Sequence, residues 1–590
     1  MLRLSEDPAL GRCALLACAV GCAGTAYFLL GLSSPAAFSF VALLFPAIAA
    51  ACLLAITAIG VGEVLPPPGR ARALFGGACA VVLLVVVGLA LVPPIARDEL
   101  THHLALPALY IESGRIVEVP FADQAYYPML LEMFYTPLLA WLPEQTPKFV
   151  HLLFALATAA VVGIAAKRRG GVAAGALGFC VILFTPVVAL LASTAYVDLG
   201  LLFFTAVAVA TLLLWYDTGS WTWLLLSALN AGFSGTSKYN GLVSIALLIV
   251  WATLVPAKLM LGYARPARRY ALIAAVYAAV AVVPMSPWLA KNYVQTGNPT
   301  FPLFHGIFGG RELPDRGGGI DVLTRRRLLY GESWAEVAAV PLRIFTTGRE
   351  GDPARFDGVL CPLMLIGIAA ALRRGAPREQ RLLLAFAAAF LGIAFFQTSL
   401  RARYIVPMLP PLALITAPAL AEILSRRRVL GGALLAAGAL FTLSHLSDKW
   451  RQVDPLAYLG GEESRDEYVA RFVPEFPVIE YANHALPADA RLYLAFLGTR
   501  SYYCRRPFTY DYYFSGVTLR RYLESSGDPA EVVERFRDDG ITHMVAADAL
   551  LGRFLEDNLD TPTLERWQVF AANHLTRETS AQGVSLYAIN

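Results

Sequence analysis

The sequence predicts a polytopic α-helical membrane protein of about thirteen spans with an α/β domain at its C-terminus. Three observations lead there. Of 590 residues, 57% are hydrophobic and only 16% charged, against about 25% charged in an ordinary soluble domain. The apolar residues come in runs such as Leu74 to Ala96 and Tyr270 to Ala290, long enough as helices to cross a hydrocarbon core about 30 Å thick. Lys and Arg cluster in alternate turns between the runs, the pattern of short loops kept on the cytoplasmic side.

The expected spans are, in order, Cys13 to Leu32, Phe38 to Ile59, Leu74 to Ala96, Lys148 to Ala166, Val172 to Ala192, Val197 to Tyr216 and Trp221 to Thr236. They continue with Tyr239 to Val255, Tyr270 to Ala290, Phe356 to Leu372, Leu382 to Gln397, Tyr404 to Leu424 and Val429 to His445. The first reads as an uncleaved span, because the apolar stretch before Cys18 is too short for a signal peptide. Pro128 to Leu142, apolar but short and containing Glu132, suits an interfacial or re-entrant helix.

With the N-terminus cytoplasmic, the basic turns at Arg70 and Arg72, Lys167 to Arg169, Lys258 to Arg269, Arg373 to Arg381 and Arg426 to Arg428 all fall inside. Residues 1–446 then form the membrane domain, with outer loops at 97–147 and 291–355, and residues 447–590 form an external domain. Apolar stretches Arg491 to Leu497 and Ile541 to Ala547, separated by helical patterns near Leu519 to Glu524 and Glu531 to Arg537, give that domain an α/β reading. Gly317 to Gly319 mark a flexible point in the second loop. The expected setting is a bacterial inner membrane with the tail periplasmic; the Ala- and Arg-rich composition is compatible with a high-GC bacterium.

The eight cysteines suggest no disulfide framework. The net charge of +4 implies no broad nucleic-acid surface, and no P-loop, dinucleotide fingerprint or serine-nucleophile elbow is present.

Unusual polar residues gather on the outer face: Asp98, Glu99, His102, His103, Tyr126, Tyr127, Tyr196, Asp198, Lys238, Tyr239, Asn292, Arg401, Arg403 and Tyr404. Ionisable groups at a membrane edge are costly to desolvate, which makes them functional candidates. Cations on this face, Arg97, Lys238, Lys291, Arg401 and Arg403, suit a lipid phosphate, although headgroup contact and snorkelling account for single residues equally well. Asp98 and Glu99 are the best candidates for chemistry, since a partly desolvated carboxylate can take a proton from a hydroxyl. A structural alternative is that Asp98 caps a helix whose apolar face is Leu100, Leu104, Ala108 and Ile111. In such a helix Asp98 with His102, and Glu99 with His103, stand at i, i+4, where each pair could share a divalent metal. The aromatic clusters Tyr502-Tyr503 and Tyr510 to Phe514 read as core rather than as sugar-stacking platforms.

At these residues the chain resembles the membrane glycosyltransferases of the GT-C fold, in the group that includes protein O-mannosyltransferases and the lipid A aminoarabinose transferase. The matches run in order along most of the chain. They are Asp98-Glu99 continuing to Pro107 and Gly114-Arg115, Tyr127-Pro128, Tyr196-Val197-Asp198, and Ser237-Lys238-Tyr239. Pro287-Trp288 with Gly297-Asn298-Pro299 follows, then Arg403-Tyr404 with Pro407 and Pro410. The resemblance implies transfer of a sugar from a polyprenyl-phosphate donor to an envelope lipid, glycan or protein acceptor, with inversion. It assigns Asp98 as general base, Glu99 as a supporting group, and Arg403 with Arg401 or Lys238 as neutraliser of the phosphate. The two spans before Asp98-Glu99 depart from the simplest family pattern. The rival readings are a ligase of lipid-linked glycans and a transporter or flippase, the latter expected to show polar or broken helices at mid-membrane.

Overall fold

The computed structural model describes residues 6–33, 38, 42–254, 267–311, 321–396, 400–511 and 515–590. Among these, eight helices are long and apolar enough to cross a membrane: Pro8–Ser33, Leu44–Val64, Arg70–Ala90, Thr146–Leu183, Asp198–Thr218, Arg268–Thr296, Ala402–Arg426 and Arg428–Val453. Each expected span overlaps a helical segment among the described residues, but Trp221–Ser237, Gly241–Leu254 and Arg378–Phe395 are not among the eight. Lys148 to Ala166 and Val172 to Ala192 begin as the two arms of Thr146–Leu183, which breaks at Gly170 and Gly171, where Gly171 takes φ 75°. Only Met364–Leu372 is helical within the expected Phe356 to Leu372. At 1.5 Å per residue it is about 14 Å long, too short to cross alone. Pro362 and Gly358, at φ 133°, keep the preceding residues out of the helix. Gly317 to Gly319 and the basic residues Lys258 and Arg265 lie outside the described residues.

Small residues let these helices approach closely, as packing without a strong hydrophobic drive requires. A Cβ at Gly60 would lie 2.2 Å from the Cβ of Ala160. Buried hydroxyls are satisfied within the bundle: Thr158 donates to Phe154 O at 2.7 Å, and Ser227 to Ala208 O at 2.8 Å. Basic turns pair with acids at one end of the bundle, Lys167 with Glu63 at 2.7 Å and Arg169 with Glu379. The candidate site lies at the other, since the helix arm ending at Arg169 starts beside it at Lys148.

Two boundaries differ from expectation because the helices run past their apolar stretches. Lys291 and Asn292 sit on the last turns of Ala267–Thr296 rather than in a loop, and Arg428–Val453 continues beyond His445 before the tail begins. The tail holds a five-stranded sheet, β1 Leu492–Ala495, β2 Phe508–Tyr510, β3 His543–Ala547, β4 Leu575–Ala581 and β5 Val584–Ile589. Its order is β2-β1-β3-β5-β4. β1 is parallel to β2 and β3, while β5 is antiparallel to β3 and β4. The expected strands became β1 and β3; β2 is too short and β4 too polar to show in the sequence, while β5, apolar at five of its six positions, was missed.

Strand alternation divides the tail's two faces. Tyr493, Met544 and Ala546 pack with Phe536 and Phe570 from helices Pro529–Asp538 and Thr561–His574. Leu492, Leu494, Val545 and Leu586 instead join the core that continues into the helical bundle. The segment after β1 completes the docking. Ser501 and Tyr502 donate their backbone N–H to Leu100 O at 2.9 and 3.1 Å, and the Tyr503 hydroxyl donates to Pro94 O at 2.7 Å. Tyr502 and Tyr503 are thus buried at the junction, while residues 512–514 of the second aromatic cluster are outside the described residues.

Candidate functional site

The loop that follows Arg70–Ala90 is held from three sides before it reaches Asp98. The buried Lys148 ammonium donates to Val92 O at 2.9 Å and Pro93 O at 3.2 Å. Glu99 is buried, and its two carboxylate oxygens accept the Ala96 N–H at 3.0 Å and the Ala195 N–H at 2.7 Å. Glu99 therefore ties two loops together with both oxygens engaged. His151, also buried, donates from Nδ1 to the Leu191 and Thr194 carbonyls, and its Nε2 accepts the Leu199 N–H at 3.0 Å, which fixes a neutral tautomer under the Tyr196 turn. Neither Lys148 nor His151 stood out in the sequence, although a lysine at the head of a long apolar helix is a signal for such a cap.

Glu99–His103 forms a five-residue π-turn ahead of the helix Ala105–Glu112. The expected i, i+4 pairing of Glu99 with His103 is absent, because both Glu99 oxygens are taken by the Ala96 and Ala195 N–H groups. Asp98, His102 and His103 converge instead, with ligand-type atoms all within 4.8 Å of one another. His102 Nδ1 is 2.7 Å from Thr101 Oγ1, and His103 Nδ1 is 2.7 Å from Glu132 Oε1. One Asp oxygen and two imidazoles form a donor set that suits a divalent transition ion. The Arg403 guanidinium competes with such an ion for Asp98.

Asp98 and Arg403 form an ion pair, Nη1 to Oδ2 at 2.6 Å. Arg403 also lies over the rings of Tyr196 and Tyr404, at 5.0 and 5.3 Å from their centroids. Burial pulls the Asp98 carboxyl upward, but Arg403 and the neighbouring histidines outweigh it and hold the group well below the usual carboxylate range. Burial lowers His102 to about 4 and drives His103 down as well, and it pushes Glu132 up to about 8. At neutral pH, His103 and Glu132 accordingly form an uncharged buried pair. Glu132→Leu leaves His103 without that partner and is expected to cost about 1–3 kcal/mol. Glu132→Gln, which keeps a hydrogen-bonding group, should cost less; thermal unfolding in detergent measures both.

Two cavities meet at the Asp98–Arg403 pair, and Arg97 and Arg401 line both. One, of about 360 Å³, combines bundle residues Leu89, Val92, Val187 and Leu190 and Tyr196 with the charged groups Lys148, Glu350, Asp357 and Lys449. The other, of about 390 Å³, is lined by His102, His103, Tyr127, Lys238, Tyr239 and Tyr404. Lys238 is paired with the buried Asp198 at 2.7 Å, and Arg401 with Asp357 at 3.3 Å.

Three expected site residues stand behind these walls. Asp198 lies beneath Lys238. The Tyr126 hydroxyl donates to Glu118 at 2.6 Å and accepts from Arg311 at 2.7 Å, and Asn292 Nδ2 donates to Tyr126 O at 2.7 Å and to the Tyr239 hydroxyl at 3.1 Å. They brace the loops rather than face the cavities. Thr499, from the tail, lines the second cavity and was not legible, because only docking of the tail brings it there.

No protein-family model matches the chain, and no curated protein does. Solved structures are similar in fold. ArnT from Cupriavidus metallidurans in the apo state superposes with a TM-score of 0.55 at 17% identity, over 88% of this chain and 98% of that one. The same protein bound to undecaprenyl phosphate gives 0.53 and 18%, with the same coverage of both chains. The chain thus has the GT-C fold, as the motif order implied.

Proposed function

We propose that this protein is a membrane glycosyltransferase that moves a sugar from a polyprenyl-phosphate donor to an acceptor hydroxyl on the outer face of a bacterial inner membrane. The observation that carries the reading is the Asp98–Arg403 pair standing between two cavities. A displacement that inverts the anomeric carbon needs the acceptor and the leaving group on opposite sides of that carbon. A structure bound to undecaprenyl phosphate in the same fold adds support for the lipid carrier.

The cavity lined by Leu89, Val187, Lys148 and Lys449 receives the phosphate end of the lipid donor. The donor phosphate competes with Asp98 for Arg403, and release from the guanidinium restores basicity to the carboxylate. The acceptor hydroxyl gives its proton to Asp98 as its oxygen bonds to the anomeric carbon, and the bond from that carbon to the phosphate oxygen breaks. Negative charge grows on the departing phosphate, so Arg403, with Arg401 beside it, binds it more strongly as the reaction advances. Glu99 positions the loop, and Lys238 holds the opposite wall. A divalent ion held by Asp98, His102 and His103 would supply charge stabilisation on the acceptor side.

The test is transfer of labelled sugar from a panel of polyprenyl-phosphate sugars to membrane acceptors. Product from the monophosphate donors is expected. Product only from diphosphate-linked oligosaccharides would turn the reading to a glycan ligase. Movement of labelled substrate into sealed vesicles without covalent product would turn it to a transporter.

A further inference from the structure

The tail's sheet opens a third cavity of about 290 Å³ toward the site, and its position follows from the strand order. The chain leaves β1 for β2 on one side and returns to β3 on the other side of β1. The carboxyl ends of the parallel strands β1 and β3 therefore enclose a crevice at the point where the order reverses, the place where open α/β sheets bind ligands. Phe496, Leu550 and Val584 form an apolar floor, while Gln582 and the Arg500–Glu475 pair, joined at 2.5 Å, form a polar rim. Arg97 lines this crevice and both cavities that meet at Asp98. The backbone is unusual at the same place: Phe496, Thr499 and Gln582 take φ of 60°, 65° and 50°, and left-handed non-glycine residues cluster at functional sites.

Resting on the glycosyltransferase reading, we infer that this crevice is the acceptor subsite and takes a sugar residue of a glycan acceptor, whose hydroxyl reaches Asp98 past Arg97 and Thr499. A sugar ring has an apolar face for the floor and hydroxyl edges for the rim. The volume is near the lower limit for small-ligand sites, about 300 Å³, which suits one or two rings rather than an acyl chain. An extended peptide would add to an open strand edge, but β1 and β3 are both flanked by strands. The crevice meets the site at Arg97, which lines both cavities beside Asp98, and Thr499, between Gly498 and Arg500 of the crevice, lines the histidine-bearing cavity.

The full chain in native membranes provides two tests. First, Leu550→Trp fills the crevice and is expected to raise the KM for an isolated envelope glycan fraction about tenfold or more. Donor KM and melting temperature should stay unchanged. An acceptor KM within about twofold of wild type in a folded Leu550→Trp protein overturns the inference. Second, p-benzoylphenylalanine at Leu550 is expected to photocrosslink to periodate-sensitive glycan. An adduct of acyl chain or polypeptide alone, or no adduct, overturns it even if Leu550→Trp does not fold. The crosslink needs no turnover, so it decides the crevice independently of whether Asp98→Asn abolishes transfer, the result that decides the wider reading.

Discussion

Asp98→Asn is expected to lower kcat for sugar transfer by about 10²–10⁴-fold, the usual contribution of a positioned general base. Asparagine retains the shape and a hydrogen-bond acceptor but cannot accept the acceptor's proton. It also leaves the buried Arg403 without its charge partner, and breaking a buried pair can cost about 3–5 kcal/mol. Asp98 is partly exposed, with a side-chain accessibility of 21%, so the cost should fall below that range. The decisive comparison is turnover at saturating donor against melting temperature in the same detergent. Transfer within about fivefold of wild type, in a protein that melts normally, would remove Asp98 from the mechanism.

Arg403→Ala is expected to act on the other half of the reaction. Removing a charge-stabilising donor aimed at a leaving oxyanion typically costs about 10²–10³-fold in kcat, and the loss of phosphate contact should raise the donor KM as well. Arg403→Lys keeps a point charge but loses the planar fork and the stacking on Tyr196 and Tyr404, so it should recover only part of the loss. Donor titrations of the wild type and both variants give this order directly. Unchanged donor affinity and turnover in Arg403→Ala would assign the residue to holding Asp98 alone.

Glu132→Leu and Leu550→Trp examine different links. The first asks whether the neutral His103–Glu132 pair stabilises the wall behind Asp98. The second asks whether the tail contributes to substrate choice. Their separation matters because Glu132 is tied to the π-turn, whereas Leu550 touches the site only through the docked sheet.

The sequence by itself determined the class of fold and the end of the bundle where the chemistry is gathered. Apolar runs show directly where helices can lie in hydrocarbon, and the costly charges at their ends, Asp98, Lys238, Arg401 and Arg403, mark one face without any knowledge of packing. It also set two of the tail's five strands, β1 and β3. Other features were decided only in three dimensions. Periodicity tells which face of an element is buried, not which element buries it, so the pairing of Asp98 with Arg403 and of His103 with Glu132 was not legible. Glu99 turned away from His103 because backbone N–H groups of two loops, at Ala96 and Ala195, take both its oxygens. Lys148 and His151 became loop anchors through carbonyls supplied by distant segments, and Tyr126, Asp198 and Asn292 turned out to stand behind the cavity walls. Thr499 entered the candidate site for the same reason. Tertiary packing brought the carboxyl ends of β1 and β3 to the loop that carries Asp98, and no local pattern in either segment encodes that meeting.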